Sequence, residues 1–100
     1  MKQIPIPEPD RVVDAIRTGL VKLLPAEDLE HVDLDMLGIQ TPLLGLPVDS
    51  AVLMALMTEL EDTFTVFIDE EAAFAFQTIG DVADYIRQRL TEKARRLAGS

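Results

Sequence analysis

The chain is expected to be all-α: a four-helix bundle with a short third helix and a long loop between helices 1 and 2. Three observations carry that expectation. Apolar residues recur at helical spacing from Val12 to Leu24, a wide apolar stripe runs from Val52 to Phe64, and Thr78-Ile79-Gly80-Asp81 opens a last striped segment. One hundred residues, 48% of them hydrophobic and none cysteine, suffice for one domain with a modest core and no disulfide or metal.

Met1 to Pro9 holds three prolines in nine residues and reads as an extended, mobile N-terminal arm. Asp10 is placed as the cap of helix 1, which uses Val12, Val13, Ile16, Leu20, Leu23 and Leu24 before Pro25 ends it, with Arg17, Thr18 and Lys22 facing water. Pro25 to Asp49 is a long irregular region, tolerable in a compact domain only if it has a task. Leu29, Val32, Leu34, Met36, Leu37, Ile39, Leu43, Leu44 and Leu46 give it apolar anchors, with a short helical turn near Glu27 to Glu30.

Asp49 caps helix 2, Ser50 to Phe64, whose stripe is Val52, Leu53, Leu56, Met57, Leu60 and Phe64. Val66-Phe67-Ile68 crosses back extended, and a short helix 3 starts at Asp69 or Glu70 and reaches about Phe76. Thr78 and Asp81 form a capping box with Asp in place of the usual Glu or Gln, and helix 4 follows on Ile79, Val82, Ala83, Ile86 and Leu90. The expected division is an arm over residues 1–9, a domain over 10–90 and a basic C-terminal tail over 91–100. Arg87, Arg89, Lys93, Arg95 and Arg96 hold five of the nine positive charges, and cations near a helix C-terminus suit its dipole.

Charge and composition exclude several function classes. Residues 23–86 contain fourteen Asp or Glu and no Lys or Arg, and the whole chain carries −9. Nucleic acid is therefore an unsuitable partner, and surfaces with basic patches are suitable ones. The absence of cysteine removes thiolate metal sites and cysteine nucleophiles and fits a reducing cytoplasm. No secretory signal is visible, and the longest apolar run, Ala51 to Met57, is too short to span a bilayer.

No catalytic set is legible. His31 is the sole histidine, nothing beside it resembles a nucleophile elbow or an oxyanion loop, and it is expected on a loop surface. The acidic groups Glu27-Asp28, Asp33-Asp35 and Asp69-Glu70-Glu71 lack EF-hand spacing and read as solvated faces and helix N-terminal charge. Glycines are scattered singly, so there is no phosphate loop. What remains is Asp49-Ser50 at a helix start. Alone it is an ordinary capping pair; in an acidic, cysteine-free chain it looks more like a carrier's feature than a catalyst's.

Asp49-Ser50 does not stand alone. With Leu60-Glu61-Asp62-Thr63-Phe64, Ile68-Asp69-Glu70-Glu71, Thr78-Ile79-Gly80-Asp81-Val82 and Asp84-Tyr85-Ile86, it resembles the phosphopantetheine-carrying acyl carrier proteins without a gap. Leu44-Gly45 resembles the family's Leu-Gly before Asp-Ser. The resemblance implies a non-catalytic carrier domain with 4′-phosphopantetheine, taken from coenzyme A, on Ser50. Asp49 would cap the helix and contribute to recognition. The implied partners are a phosphopantetheinyl transferase and an acyl-loading enzyme, synthase or transferase with a basic or apolar docking patch, the carrier itself being a monomer.

Three departures bear on the pathway. Leu44-Gly45 is separated from Asp49 by Leu46-Pro47-Val48, two residues more than the family's Leu-Gly-x-Asp-Ser, which hints at specialised rather than housekeeping acyl chemistry. Ala51 replaces the Leu or Met that usually follows the serine. Val52 and Ala55 stand where acids are usual, Met54 keeps an apolar contact position, and acid remains only at Glu59, Glu61 and Asp62. Phe74 stands where a polar residue is common. These eight positions form the expected partner face, less electrostatic and more apolar than usual, although Val52 can equally pack beneath the long loop. Part of the stripe Leu53, Leu56, Met57 and Leu60, facing Val82 and Ile86, is a candidate slot for an acyl chain. A peptidyl or aminoacyl carrier, or an unmodified helical interaction subunit in which Ser50 is only a cap, are the other functions weighed.

Overall fold

A computed structural model describes residues 5–99. Five α-helices follow in order: α1 (Pro9–Leu23), α2 (Ala26–Leu29), α3 (Ser50–Phe64), α4 (Glu70–Ala75) and α5 (Ile79–Ala98). No strand occurs among the described residues; one isolated antiparallel bridge joins Pro42 to Thr78. The all-α bundle is thus present, with the helical turn anticipated near Glu27 realised as α2.

Two helix boundaries differ from expectation. Helix α1 starts with Pro9 in its first turn and Glu8 at the cap, so Asp10 lies inside the helix. Proline suits a first helical position, because its missing N–H would be unpaired there and its φ is already helical. Asp10 then serves the dipole as a first-turn acid. Helix α5 does not stop near Leu90: it runs on to Ala98, so Lys93, Arg95 and Arg96 are helical. Residues 91–98 contain no breaker, and Gly99 is the first residue that favours an end. Of the expected arm, residues 1–4 lie outside the described residues, as does Ser100 of the tail; Ile6 packs against the core.

The core is a single cluster. Val12, Val13, Ile16 and Leu20 of α1 meet Leu56, Met57 and Leu60 of α3 and Ile79, Val82, Ala83, Ile86 and Leu90 of α5. Helix α1 packs on both α3 and α5, and α4 packs on α3. Close approach of α1 to α3 depends on Gly19, where a Cβ would lie 2.5 Å from Leu56 Cδ1. Truncating Leu56 or Leu60, both fully buried, costs about 2–5 kcal/mol by lost transfer energy and cavity formation.

The long loop is stitched down at both ends. Arg17 does not simply face water: its Nε donates to the Leu34 carbonyl at 2.8 Å, pinning the first half of the loop to α1. The second half runs antiparallel to the start of α5. Leu43 N donates to Gln77 O (2.8 Å), Ile79 N to Thr41 O (3.0 Å) and Gly80 N to Ile39 O (2.8 Å). A Cβ on Gly80 would fall 2.7 Å from Ile39 O, so this seam needs glycine there for proximity alone. Tyr85 holds the other side, with its hydroxyl accepting from Asp69 N at 3.4 Å and its ring edge-on to Phe76.

Candidate functional site

Helix α3 starts as the sequence indicates. Asp49 is extended (φ −87°, ψ −178°), and its Oδ1 accepts from Val52 N at 2.8 Å while its carbonyl accepts from Leu53 N at 2.8 Å. The cap is therefore supplied by the aspartate. Ser50 is the first helical residue and is exposed, so its hydroxyl is not committed to capping the helix. Ser50 and Ser100 are the two serines of the chain, and Ser50 alone lies among the described residues.

The approach to Ser50 is stiff. Residues Leu43–Gly45 form a 3₁₀ turn, and Val48 N folds back on Leu46 O at 2.7 Å. Leu46 and Val48 are half-buried against the core, with Pro47 between them. Leu44, by contrast, is 94% exposed. Of Leu44 and Leu46 it is Leu46 that packs, and Leu46-Pro47-Val48-Asp49-Ser50 keeps the spacing Leu-x-x-Asp-Ser, with proline in the glycine's place. Sequence reasoning attached the resemblance to Leu44-Gly45 because Leu and Gly are adjacent there; only the burial pattern distinguishes the two leucines. Met36 and Ile39, also taken as anchors, are exposed like Leu44.

The expected partner face divides. Ala51, Asp62 and Phe74 are exposed. Val52 and Met54 are half-buried against the core, which favours the packing role for Val52, and Ala55 is half-buried too. Glu59 receives Lys22 Nζ at 2.6 Å, a pair between α1 and α3 that raises the lysine's pKa through the hydrogen bond and the carboxylate's charge. Glu61 Oε2 accepts from Ile68 N at 2.8 Å and so holds the extended crossing after α3. Two acids assigned to docking therefore have partners inside the molecule. Sequence spacing does not reveal either contact, since one partner is on another helix and the other is a backbone N–H seven residues away.

The slot expectation meets a closed core: Leu56, Met57, Leu60, Val82 and Ile86 are all buried, and only Leu53 of that set is partly open. A groove of about 710 Å³ does exist, lined by residues including Ile6, Phe64, Leu90 and Leu97. It opens at the far end of α3, about 22 Å of helix from Ser50 at 1.5 Å per residue. Ser50 is accordingly a point on the surface, not a pocket.

His31 is exposed, and among the described residues no three His, Asp or Glu are grouped to hold a metal ion. Among the described residues no helix is long and apolar enough to cross a membrane. The residues around Ser50 nonetheless suit an anionic ester. The N-terminus of a 15-residue helix offers backbone N–H groups and a positive dipole end, and an exposed hydroxyl stands on its first residue.

The family model described as "Phosphopantetheine attachment site" matches residues 21–86, well over half of the chain. The match spans the end of α1 through Ile86 of α5 and has Asp49-Ser50 within it. Neither the curated proteins nor the solved structures contain a match to the chain.

Proposed function

The chain belongs to the phosphopantetheine attachment-site family and is a carrier of a covalent 4′-phosphopantetheine group; on that premise we propose that Ser50 holds the group and that the cargo is an acyl chain of a dedicated polyketide, lipid or specialised-metabolite pathway. The observation that carries the assignment is the division of labour at the start of α3. Asp49 caps the helix, which leaves the exposed Ser50 hydroxyl for chemistry.

In the transferase's active site Ser50 Oγ attacks the phosphorus of coenzyme A that bears the pantetheine. The pyrophosphate P–O bond breaks, the nucleotide leaves with that oxygen, and the hydroxyl proton passes to a base of the transferase. The chain's own contribution is to present the hydroxyl on a rigid helix start, where the positive end of the helix dipole would favour the new phosphodiester. When bound, the group supplies a terminal thiol that carries cargo as a thioester, a sulfur that this cysteine-free chain lacks. The chain has no bond-making role of its own, and its site is the reducing cytoplasm.

The acyl reading rests on the acidic surface, while the exposed Ala51 and Phe74 favour an apolar docking patch on the synthase. Attachment is mapped on the tryptic fragment 23–87, whose single serine is Ser50. The loaded protein is then offered an acyltransferase with acyl-coenzyme A and, separately, an amino-acid-adenylating enzyme with ATP. Thioester mass from the first supports an acyl carrier; mass from the second alone replaces it with an aminoacyl carrier.

A further inference from the structure

On the reading that Ser50 receives the arm, we propose that the Leu43–Gly45 turn is a docking element whose Leu44 enters an apolar socket of the phosphopantetheinyl transferase. Leu44 is 94% exposed, more than any other large hydrophobic among the described residues. Single exposed apolar residues are ordinary; this one is set apart by its rigidity and by what lies beside it.

The turn is fixed from within. Leu43 is buried, its N–H donates to Gln77 O at 2.8 Å, Gly45 N donates to Pro42 O at 3.2 Å and Leu46 N to Leu43 O at 3.1 Å. Leu44 is therefore displayed on a backbone already ordered, and binding it costs little further chain entropy. The Pro42–Thr78 bridge and the Leu43 N–Gln77 O hydrogen bond tie the start of the turn to the segment between α4 and α5. Phe74, 52% exposed, stands on α4 three residues before Gln77, a second large apolar side chain on the segment that leads into this tie.

Position ties this patch to Ser50. Six residues separate Leu44 from Ser50, a reach below about 21 Å even if fully extended, and the Leu46–Val48 turn shortens it. A protein partner that buries roughly 800 Å² of the carrier around Ser50 covers a disc of about 16 Å radius. The start of α3 supplies no large anchor of its own, because Ala51 is small and Val52 and Met54 pack inward. Glu59 and Glu61 are engaged by Lys22 and Ile68 N, so two of the three acids of this face already have partners inside the molecule. Seating this exposed side chain in an apolar socket takes its apolar surface out of water, which favours association.

The test compares modification rates of the full chain, wild type beside Leu44→Gln, Leu44→Met and Phe74→Gln, with coenzyme A and a broad-specificity phosphopantetheinyl transferase. The readout is the mass increase over a range of carrier concentrations. Leu44→Gln is expected to keep the wild-type circular dichroism and to reach full modification. Its kcat/KM should fall about tenfold through KM, with Phe74→Gln falling less and Leu44→Met near wild type. Equal kcat/KM for wild type and Leu44→Gln, or a loss confined to kcat, overturns the anchor while leaving Ser50's role standing. A wild type that gains no mass overturns the carrier reading and the anchor with it.

Discussion

At the start of α3 one backbone step separates Asp49, which caps the helix, from Ser50, whose exposed hydroxyl is the proposed attachment point. Two other side chains carry local consequences that can be measured. Thr65 ends α3 with φ 53° and ψ 55°, a left-handed conformation that a β-branched residue adopts at a cost and glycine adopts freely. Thr65→Gly should raise stability by about 0.5–1 kcal/mol in urea titration, because relief at the cap exceeds glycine's larger unfolded-state entropy. Asp81 accepts from Gln77 N and Thr78 N, and these bonds to its charged form hold its pKa below the ordinary 3.8. With a depressed folded pKa, its contribution is complete above the ordinary value and is lost as pH falls through the folded one, since the unfolded chain takes up the proton first. Between pH 5 and about pH 2, the melting temperature of Asp81→Asn should therefore fall less than that of wild type, as thermal scans at each pH would reveal.

Helix α3 was readable to its last residue, because the Asp49 cap and the stripe ending at Phe64 are local signals on one segment. The Thr78–Asp81 capping box was equally legible, and both of its reciprocal bonds are present. Other features depend on contacts the sequence does not display. Which loop leucine is buried follows from the seam with residues 77–80, so Leu43 and Leu46 go inward and Leu44 outward. Glu59 and Glu61 looked like docking acids because their partners, Lys22 and Ile68 N, come from distant or backbone positions. The start of α1 was misplaced by two residues because Asp10 is a good cap by type, and Pro9 at the first helical turn displaces it. Gly80 tests the seam directly. In an exposed helix, replacing glycine by alanine gains about 1 kcal/mol; here Gly80→Ala should instead lower the urea midpoint, because the new Cβ meets a backbone oxygen that cannot yield without losing the Ile39 hydrogen bond.

Taken as one molecule, the chain separates its charges: all nine Lys and Arg lie at or before residue 22 or at or after residue 87, and the intervening acidic stretch bears Ser50. Helix α1 forms the middle of the core, with α3 and α5 packed on it, so the serine-bearing helix is held by its buried face while its N-terminus stays in water. Under the proposed assignment, a fold organised in this way offers the Ser50 hydroxyl to a partner enzyme. The most direct test is the intact mass of wild type and Ser50→Ala after incubation with coenzyme A and a broad-specificity phosphopantetheinyl transferase. Ser50 does not cap the helix, so both proteins should show the same circular dichroism and urea midpoint. Wild type alone should gain the mass of one phosphopantetheine; equal gain on Ser50→Ala, or no gain on either, would contradict the assignment of Ser50 as the attachment point.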